Sequence, residues 1–277
     1  MIASLTAACA IGAAVLGGVY VATHRYQAAA SLRSERQAIA ELLALDPGAT
    51  IEEIEQFLEP GRSQVVYAAH AFGDGSGAGE RLTFSLDGKL LERATAEAAG
   101  AGRAAGGRGD TRKGLVPLGK LYVARAGGTP AGFVVEGTTR GYKNRIRYLV
   151  ALTPAFEIAG VRVVEHQEDP GLGAEVATRA FEGQFIARSA EAVAALEVTR
   201  DPMPEDWRAA LAQLTRTPVA EWRAAHADLI ARESTRPIYA VTGATISSRA
   251  LTDGVRATVG HFRRRWALIE PLLGAGS

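Results

Sequence analysis

The sequence is poor in the residues that would staple a fold or hold a metal. Its single cysteine, Cys9, lies in an apolar N-terminal run, which excludes a disulfide framework, a cysteine zinc or iron–sulfur site and a redox dithiol. The five histidines, His24, His70, His166, His226 and His261, show no i, i+4 helical spacing of the kind that binds zinc. No charge of one sign dominates either: 31 basic and 30 acidic residues give +1, without the electrostatic footprint of a nucleic-acid binder. The run Arg263-Arg264-Arg265 reads as cations toward a helix C-terminus. At 277 residues the chain can bury enough apolar surface to fold without such staples.

The first 23 residues carry no charged side chain. A helix of that length rises roughly 35 Å, enough to cross a hydrocarbon core of about 30 Å. No basic segment precedes the run, and it exceeds a usual signal-peptide core, so residues 1–23 are expected to be a retained single-pass anchor. Arg25, Arg33 and Arg36 follow it, and by the positive-inside tendency they favour a cytoplasmic domain.

Beyond the anchor, a juxtamembrane helical segment is expected over 24–62. Ala28 to Leu45 is rich in Ala, Leu, Glu and Arg. Thr50 and Glu53 form a capping-box pattern ahead of Ile51, Ile54 and Leu58, and Pro60-Gly61 closes the stretch. Residues 96–114 are largely Gly, Ala and Arg without apolar period and read as a mobile loop.

From Lys120 onward the periodicity shortens. Leu121–Arg125 and Gly132–Glu136 flank a Gly-Gly-Thr-Pro turn; Arg145–Leu152 and Ile158–Val164 alternate after it, with Ile146, Tyr148 and Val150 on one side. Helical spacing returns over 189–235, around Trp207, Leu211, Trp222 and Leu229. The stripe Leu251, Val255, Val259, Phe262, Trp266 predicts a last helix over about Ser247–Trp266. Strands followed by grouped helices indicate an α+β domain with an antiparallel sheet and flanking helices, over 63–277.

The chemistry concentrates at the entry to that helix, Tyr239-Ala-Val-Thr242-Gly243-Ala244-Thr245-Ile-Ser247-Ser248. A glycine turn ahead of free helix N–H groups suits a phosphate, with the Thr245 hydroxyl beside it. The same residues also suit an ordinary hydroxyl-rich N-cap. A hydrolase using Ser247 or Ser248 lacks a base or nucleophile-elbow spacing.

The segment resembles the flavinylation motif of the FMN-binding domain family, which includes the RnfG proteins of the Rnf electron-transport complex and the NqrC proteins of the sodium-translocating NADH:quinone reductase. A Ser/Thr-Gly-Ala-Thr match arises by chance in about one chain in a hundred of this length. Gly141-Tyr142 and Glu168-Asp-Pro-Gly171-Leu172-Gly173 resemble the family's other recurrent blocks, in the expected order.

The resemblance implies FMN joined through its phosphate to Thr245 as a phosphoester. Thr242, Gly243, Ala244 and Ser247 would lie around the phosphate, with Gly171, Leu172, Gly173, Glu168 and Tyr142 toward the ring; the Pro170–Gly173 loop also reads as a plain strand-exit turn. No catalytic or metal-binding side chain is implied. The implied partners are the other components of a membrane redox complex and a separate flavin transferase, with the domain on the periplasmic side of an inner membrane, against the charge tendency above. The implied activity is electron transfer in an Rnf-type ion-translocating ferredoxin/NAD oxidoreductase. The alternative is a membrane-tethered, non-covalent FMN-binding or interaction module of another respiratory assembly. Two departures stand out: Tyr239 occupies the position six before Thr245 where the family carries an acid, and the helical stretch between Pro202 and Glu233 is longer than usual.

Overall fold

In the computed structural model of the chain the described residues are 16, 17, 19, 20, 23, 35–45, 48–72, 79–95 and 114–273. Most of the expected anchor and nearly all of the expected 96–114 loop lie outside them. Among the described residues, no helix is long and apolar enough to cross a membrane.

Eight antiparallel strands form one sheet: β1 (Thr50–Glu59), β2 (Gln64–Ala71), β3 (Gly79–Ser85), β4 (Leu90–Thr95), β5 (Val116–Ala126), β6 (Thr129–Arg140), β7 (Arg145–Leu152) and β8 (Ile158–Glu165). Their order across the sheet is β4-β3-β2-β1-β5-β6-β7-β8, so every strand but β5 lies beside its sequence predecessor. The strands read from alternation, β5 to β8, are present and extend beyond their expected bounds.

The expected helix at Thr50–Leu58 is overturned, because these residues are β1, hydrogen-bonded on both sides to β2 and β5. Its apolar spacing fitted either period, and the alternation was hidden by polar side chains at buried positions. Glu53 sits in the interior because Lys120 Nζ lies 2.6 Å from its carboxylate, and Gln56 because Arg265 Nη1 donates to it at 2.8 Å. Burial pushes Glu53 upward, but His70 and Lys120 more than offset this and hold its carboxyl at about 2.

Both sheet faces are covered. A helix over residues 35–43 (α1) packs Ile39 and Leu42 onto Tyr122, Val134, Leu149 and Ala151. On the other face lies α7 (Thr245–Leu273), longer than expected from its stripe; Leu251, Val255, Val259, Phe262, Trp266 and Ile269 meet Ile54, Leu121, Phe133, Ile146, Tyr148 and Val150. Each such fully buried side chain contributes roughly 1.5–3 kcal/mol, which makes this layer the main support for the N-terminal end of α7.

Between β8 and α7 run the 3₁₀ turn Gly173–Ala177 and helices α2 (Arg179–Gly183) and α3 (Ala190–Ala194). A parallel pair, β9 (Val198–Thr199) and β10 (Ile238–Tyr239), encloses α4 (Glu205–Gln213), α5 (Val219–Ala225) and α6 (Ala227–Glu233). These three helices close on their own apolar cluster around Trp207, Leu211, Trp222 and Ile230. Arg188, only 2% exposed, fastens them down. Its guanidinium donates to the carbonyls of Gln184, Glu233, Ser234 and Arg236, satisfying acceptors at the end of α6 that no helical N–H can reach.

The outer edge of β8 is blunted by the same connection. Ile158 and Ala187 exchange backbone hydrogen bonds through Arg188 and Ile158 carbonyls, and the Val163 N–H donates to Glu182 at 2.7 Å. Burial pushes the Glu182 carboxyl up to about 7, against the opposing Val163 N–H and the charges of Arg162 and Arg179. Native protein therefore holds this proton through a range, about pH 4.5 to 7, in which the unfolded chain has released it. Stability from this group accordingly falls as pH rises through that window, by on the order of 3 kcal/mol. Glu182→Gln keeps an acceptor for Val163, and is expected to melt with wild type near pH 5 but above it near pH 8. Parallel melting curves at both values would refute this account of Glu182.

Candidate functional site

Three separated stretches converge on one carboxylate, that of Glu168, which is 5% exposed. The β6–β7 turn is closed by the Gly141 N–H donating to Asn144 O at 2.8 Å. Its next three amides all point inward: Tyr142, Lys143 and Asn144 N–H donate to Glu168 at 3.1, 3.0 and 3.2 Å. Successive backbone N–H groups in a turn make an anion-binding concavity, here filled by a side chain of the chain itself. The fourth donor is Ser247 Oγ, from the first turn of α7, at 2.5 Å. Burial pushes Glu168 up, yet the hydrogen bonds from Ser247 and the three amides outweigh it and hold the carboxyl below its usual range.

Two glycines allow this approach. A Cβ on Gly141 would stand 2.5 Å from Glu168 Oε1, and one on Gly173 would stand 2.7 Å from Oε2 and 2.9 Å from Ser247 Oγ. Lys143 Nζ, 2.5 Å from Asp169 Oδ1, makes a second tie between the same turn and loop.

The motif turn lies on the far side of this hub. Ala244 N–H donates to Val241 O at 3.0 Å, and Gly243 has φ +80° at the third position, where a type II turn requires positive φ and hence glycine. Ser248, fully buried, braces the turn by accepting from Val241 N–H at 3.1 Å and donating to Ala244 O at 3.0 Å. Since Ser248 N–H is the first to bond back into the turn, at Ala244 O, the amides of Thr245, Ile246 and Ser247 have no acceptor among the described residues. They form the positive end of a 29-residue helix, favourable for an anion.

Of the residues singled out from sequence, Thr242 and Gly243 are exposed, Thr245 is half-buried, and Ala244 and Ser247 are buried. Ser247 spends its hydroxyl on Glu168, so its side chain is a brace and not a free nucleophile. Leu172, 48% exposed, lies against Gly243: a Cβ there would be 3.0 Å from its Cδ2. Gly171, at φ +72°, turns the chain just before it. Tyr142 gives its amide to the hub while its side chain is 67% exposed.

Sequence reasoning missed Ile246, 58% exposed. Its signal was available, since it falls outside the core stripe that begins at Leu251. It also missed Ser248 and the amides of Lys143 and Asn144, whose roles depend on tertiary approach.

The sequence profile of the FMN-binding domain family matches residues 141–260, from the first glycine of the hub through most of α7. Residues 141–260 are an FMN-binding domain. The chain is 32% identical over 138 residues to the RnfG-type component of the proton-translocating ferredoxin:NAD(+) oxidoreductase complex of Clostridium ljungdahlii, covering 50% of this chain and 57% of that protein. It is 43% identical over 68 residues to the corresponding component of the ion-translocating oxidoreductase complex of Haemophilus influenzae, covering 24% and 33%. The chain thus spans between a third and somewhat over half the length of these curated relatives. Among solved structures, NqrC of Shewanella oneidensis aligns over 87% of this chain and 99% of its own, at 15% identity and a TM-score of 0.48.

Within the FMN-binding domain the arrangement fits a flavin phosphate. A glycine turn, a half-buried threonine hydroxyl and unpaired helix amides meet at one point, with exposed Leu172 and Ile246 beside it to cover an apolar ring. Tyr239, in the place of the family's acid, is turned away from this point. Its side chain is buried in the cluster of Ile186, Trp207 and Trp222, its hydroxyl donates to Glu233 at 3.1 Å, and its backbone is held both ways by Gln184. Tyr239→Phe is therefore expected to cost about 1 kcal/mol and leave flavin content unchanged. Tyr239→Asp, which buries a carboxylate beside Glu233, is expected to destabilise by at least ~3 kcal/mol. Urea titrations of the two variants beside wild type would measure both, and equal midpoints for them would contradict this placement.

Proposed function

We propose that the chain is a membrane-anchored electron carrier that holds FMN through a phosphoester on Thr245 and works within an Rnf-type ion-translocating ferredoxin/NAD oxidoreductase. The observation that carries the reading is the motif turn itself, in which Thr245 opens α7 among three amides without acceptors. Thr245 Oγ would replace one phosphate oxygen of FMN, with loss of water overall, in a reaction performed by a separate flavin transferase. The amides of Thr245, Ile246 and Ser247 would then face the remaining phosphate charge, and Leu172, Ile246 and Tyr142 would flank the ring.

The flavin supplies the redox chemistry. The chain supplies position: Glu168 and Ser247 fix the start of α7 to the β6–β7 turn, and the Val241–Ser248 braces fix the turn geometry. No general acid, base or nucleophile is needed for electron transfer, in keeping with a hub whose carboxylate and serine are already committed to each other. Similarity to RnfG-type components of two ion-translocating complexes supports the assignment of partners. The uncharged stretch over residues 1–23 supports a single-pass anchor, with the domain on the periplasmic side of the inner membrane.

The test is intact mass with peptide mapping after expression with and without an active flavin transferase. An increment of FMN minus water on the peptide containing Thr245 is expected only with the transferase. An unmodified chain that still retains FMN through gel filtration would instead favour a non-covalent binding module.

A further inference from the structure

The motif turn leaves unused a cleft of about 810 Å³ between α7 and the sheet, within the size range of small-molecule sites. Neither Thr245 and its turn nor the Glu168 loop lines it; its walls come from the middle of α7 and the ends of β1, β5 and β6.

The polar groups in this cleft are unevenly satisfied. The Tyr148 hydroxyl is paired with Thr258 Oγ1 at 3.1 Å, Glu136 is held by Arg147 at 3.1 Å, and Asp253 by Arg256 at 2.6 Å. Glu55 lies in the field of Lys120. Arg265 differs. Half-buried, it donates one hydrogen bond, from Nη1 to Gln56 Oε1 at 2.8 Å, and has no carboxylate within ion-pair distance among the described residues. Tyr67 stands beside it, 5% exposed, close enough for the Arg265 charge to act on its phenol. Its hydroxyl has no partner among the described residues. An uncompensated cation and an unpaired phenol sharing one void incur a desolvation cost that an anionic ligand would offset. Around them Phe57, Leu118 and Ile269 present apolar surface.

We propose that this cleft binds an organic anion with an apolar body, its carboxylate or phosphate head on Arg265 and Tyr67 and its body against Phe57, Leu118 and Ile269. Guanidinium and phenol together offer the forked, charge-assisted donors that such a head accepts. The site is separate from the flavin turn and does not depend on flavin attachment.

Calorimetric titration of the full chain in a non-ionic detergent with 2-naphthoate and with 2-naphthyl phosphate tests it, with uncharged 2-naphthamide as control. Saturable one-site binding of at least one anion is expected, and the stronger of the two identifies the head group. Arg265→Gln is expected to weaken it at least tenfold and Tyr67→Phe several-fold. Leu118→Trp, which fills the rim without touching either donor, provides an independent loss should Arg265→Gln fold poorly. Thr245→Val should bind as wild type does, so failure of the flavin reading leaves this result standing. Naphthamide binding as tightly as the anions, anion binding indifferent to both Arg265→Gln and Leu118→Trp, or no saturable binding to wild type would overturn the proposal.

Discussion

Thr245→Val, co-expressed with an active flavin transferase, is expected to lose all flavin fluorescence from the denatured band while keeping its fold. Valine is nearly isosteric with threonine but has no oxygen to carry a phosphoester, so the loss should be complete. Thr245 makes no side-chain hydrogen bond that braces the turn; that work belongs to Ser247 and Ser248. At the first helical position a β-branched side chain replaces another, so propensity changes little. The expected stability change is within about 0.5 kcal/mol, measurable as an unshifted urea midpoint. Fluorescence persisting at the wild-type level on the variant band would move the attachment to another hydroxyl, Thr242 being the exposed one nearest in the turn.

How far the fold was readable depended on where each element's polar residues fell. Strands β5 to β8 and α7 were legible because their buried positions are apolar at a constant period: Ile146, Tyr148 and Val150 on one face, and Leu251 through Trp266 along one stripe. β1 was misread because Glu53 and Gln56 occupy buried positions, each made tolerable by a cation distant in sequence, Lys120 and Arg265. β2, β3 and β4 went unread for want of any such clear pattern. The motif turn was legible as a local object, since a glycine with φ +80° ahead of a helix is a short-range feature. The hub was not, because a glutamate followed by Asp-Pro-Gly looks like a strand-exit turn until three amides 24 to 26 residues earlier close on it. Arg188 illustrates the same limit: an arginine reads as surface, and only the approach of α6 supplies the carbonyls that let it be buried.

Removing the Glu168 carboxylate should have the largest effect on stability of any single change at the site. Glu168→Ala leaves three converging amides and the Ser247 hydroxyl without their acceptor. Each buried orphan costs roughly 1–3 kcal/mol, but the exposed flank at Tyr142 and Lys143 lets water reach part of the cavity, so the total is expected near ~3 kcal/mol and not the full sum. Glu168→Gln keeps one acceptor oxygen but turns an NH₂ toward donors, and should fall between wild type and alanine.

The dependence on pH separates this mechanism from simple loss of packing. Because the folded carboxyl is held below the unfolded value of about 4.5, the native state binds fewer protons than the unfolded chain as pH falls into the acid range. Its contribution is therefore fully present above about pH 4.5 and is lost as pH falls through the folded value. The gap in unfolding free energy between wild type and Glu168→Ala should accordingly be constant from about pH 6 to 8 and shrink in acid. A gap that stayed constant down to about pH 3 would mean that the side chain contributes volume and not charge. Flavin attachment gives the functional counterpart. With Ser247 released from the hub, the first turn of α7 loses its tie to the β6–β7 turn, and the fraction of chains loaded at Thr245 should fall with Glu168→Ala even at temperatures where the variant is fully folded.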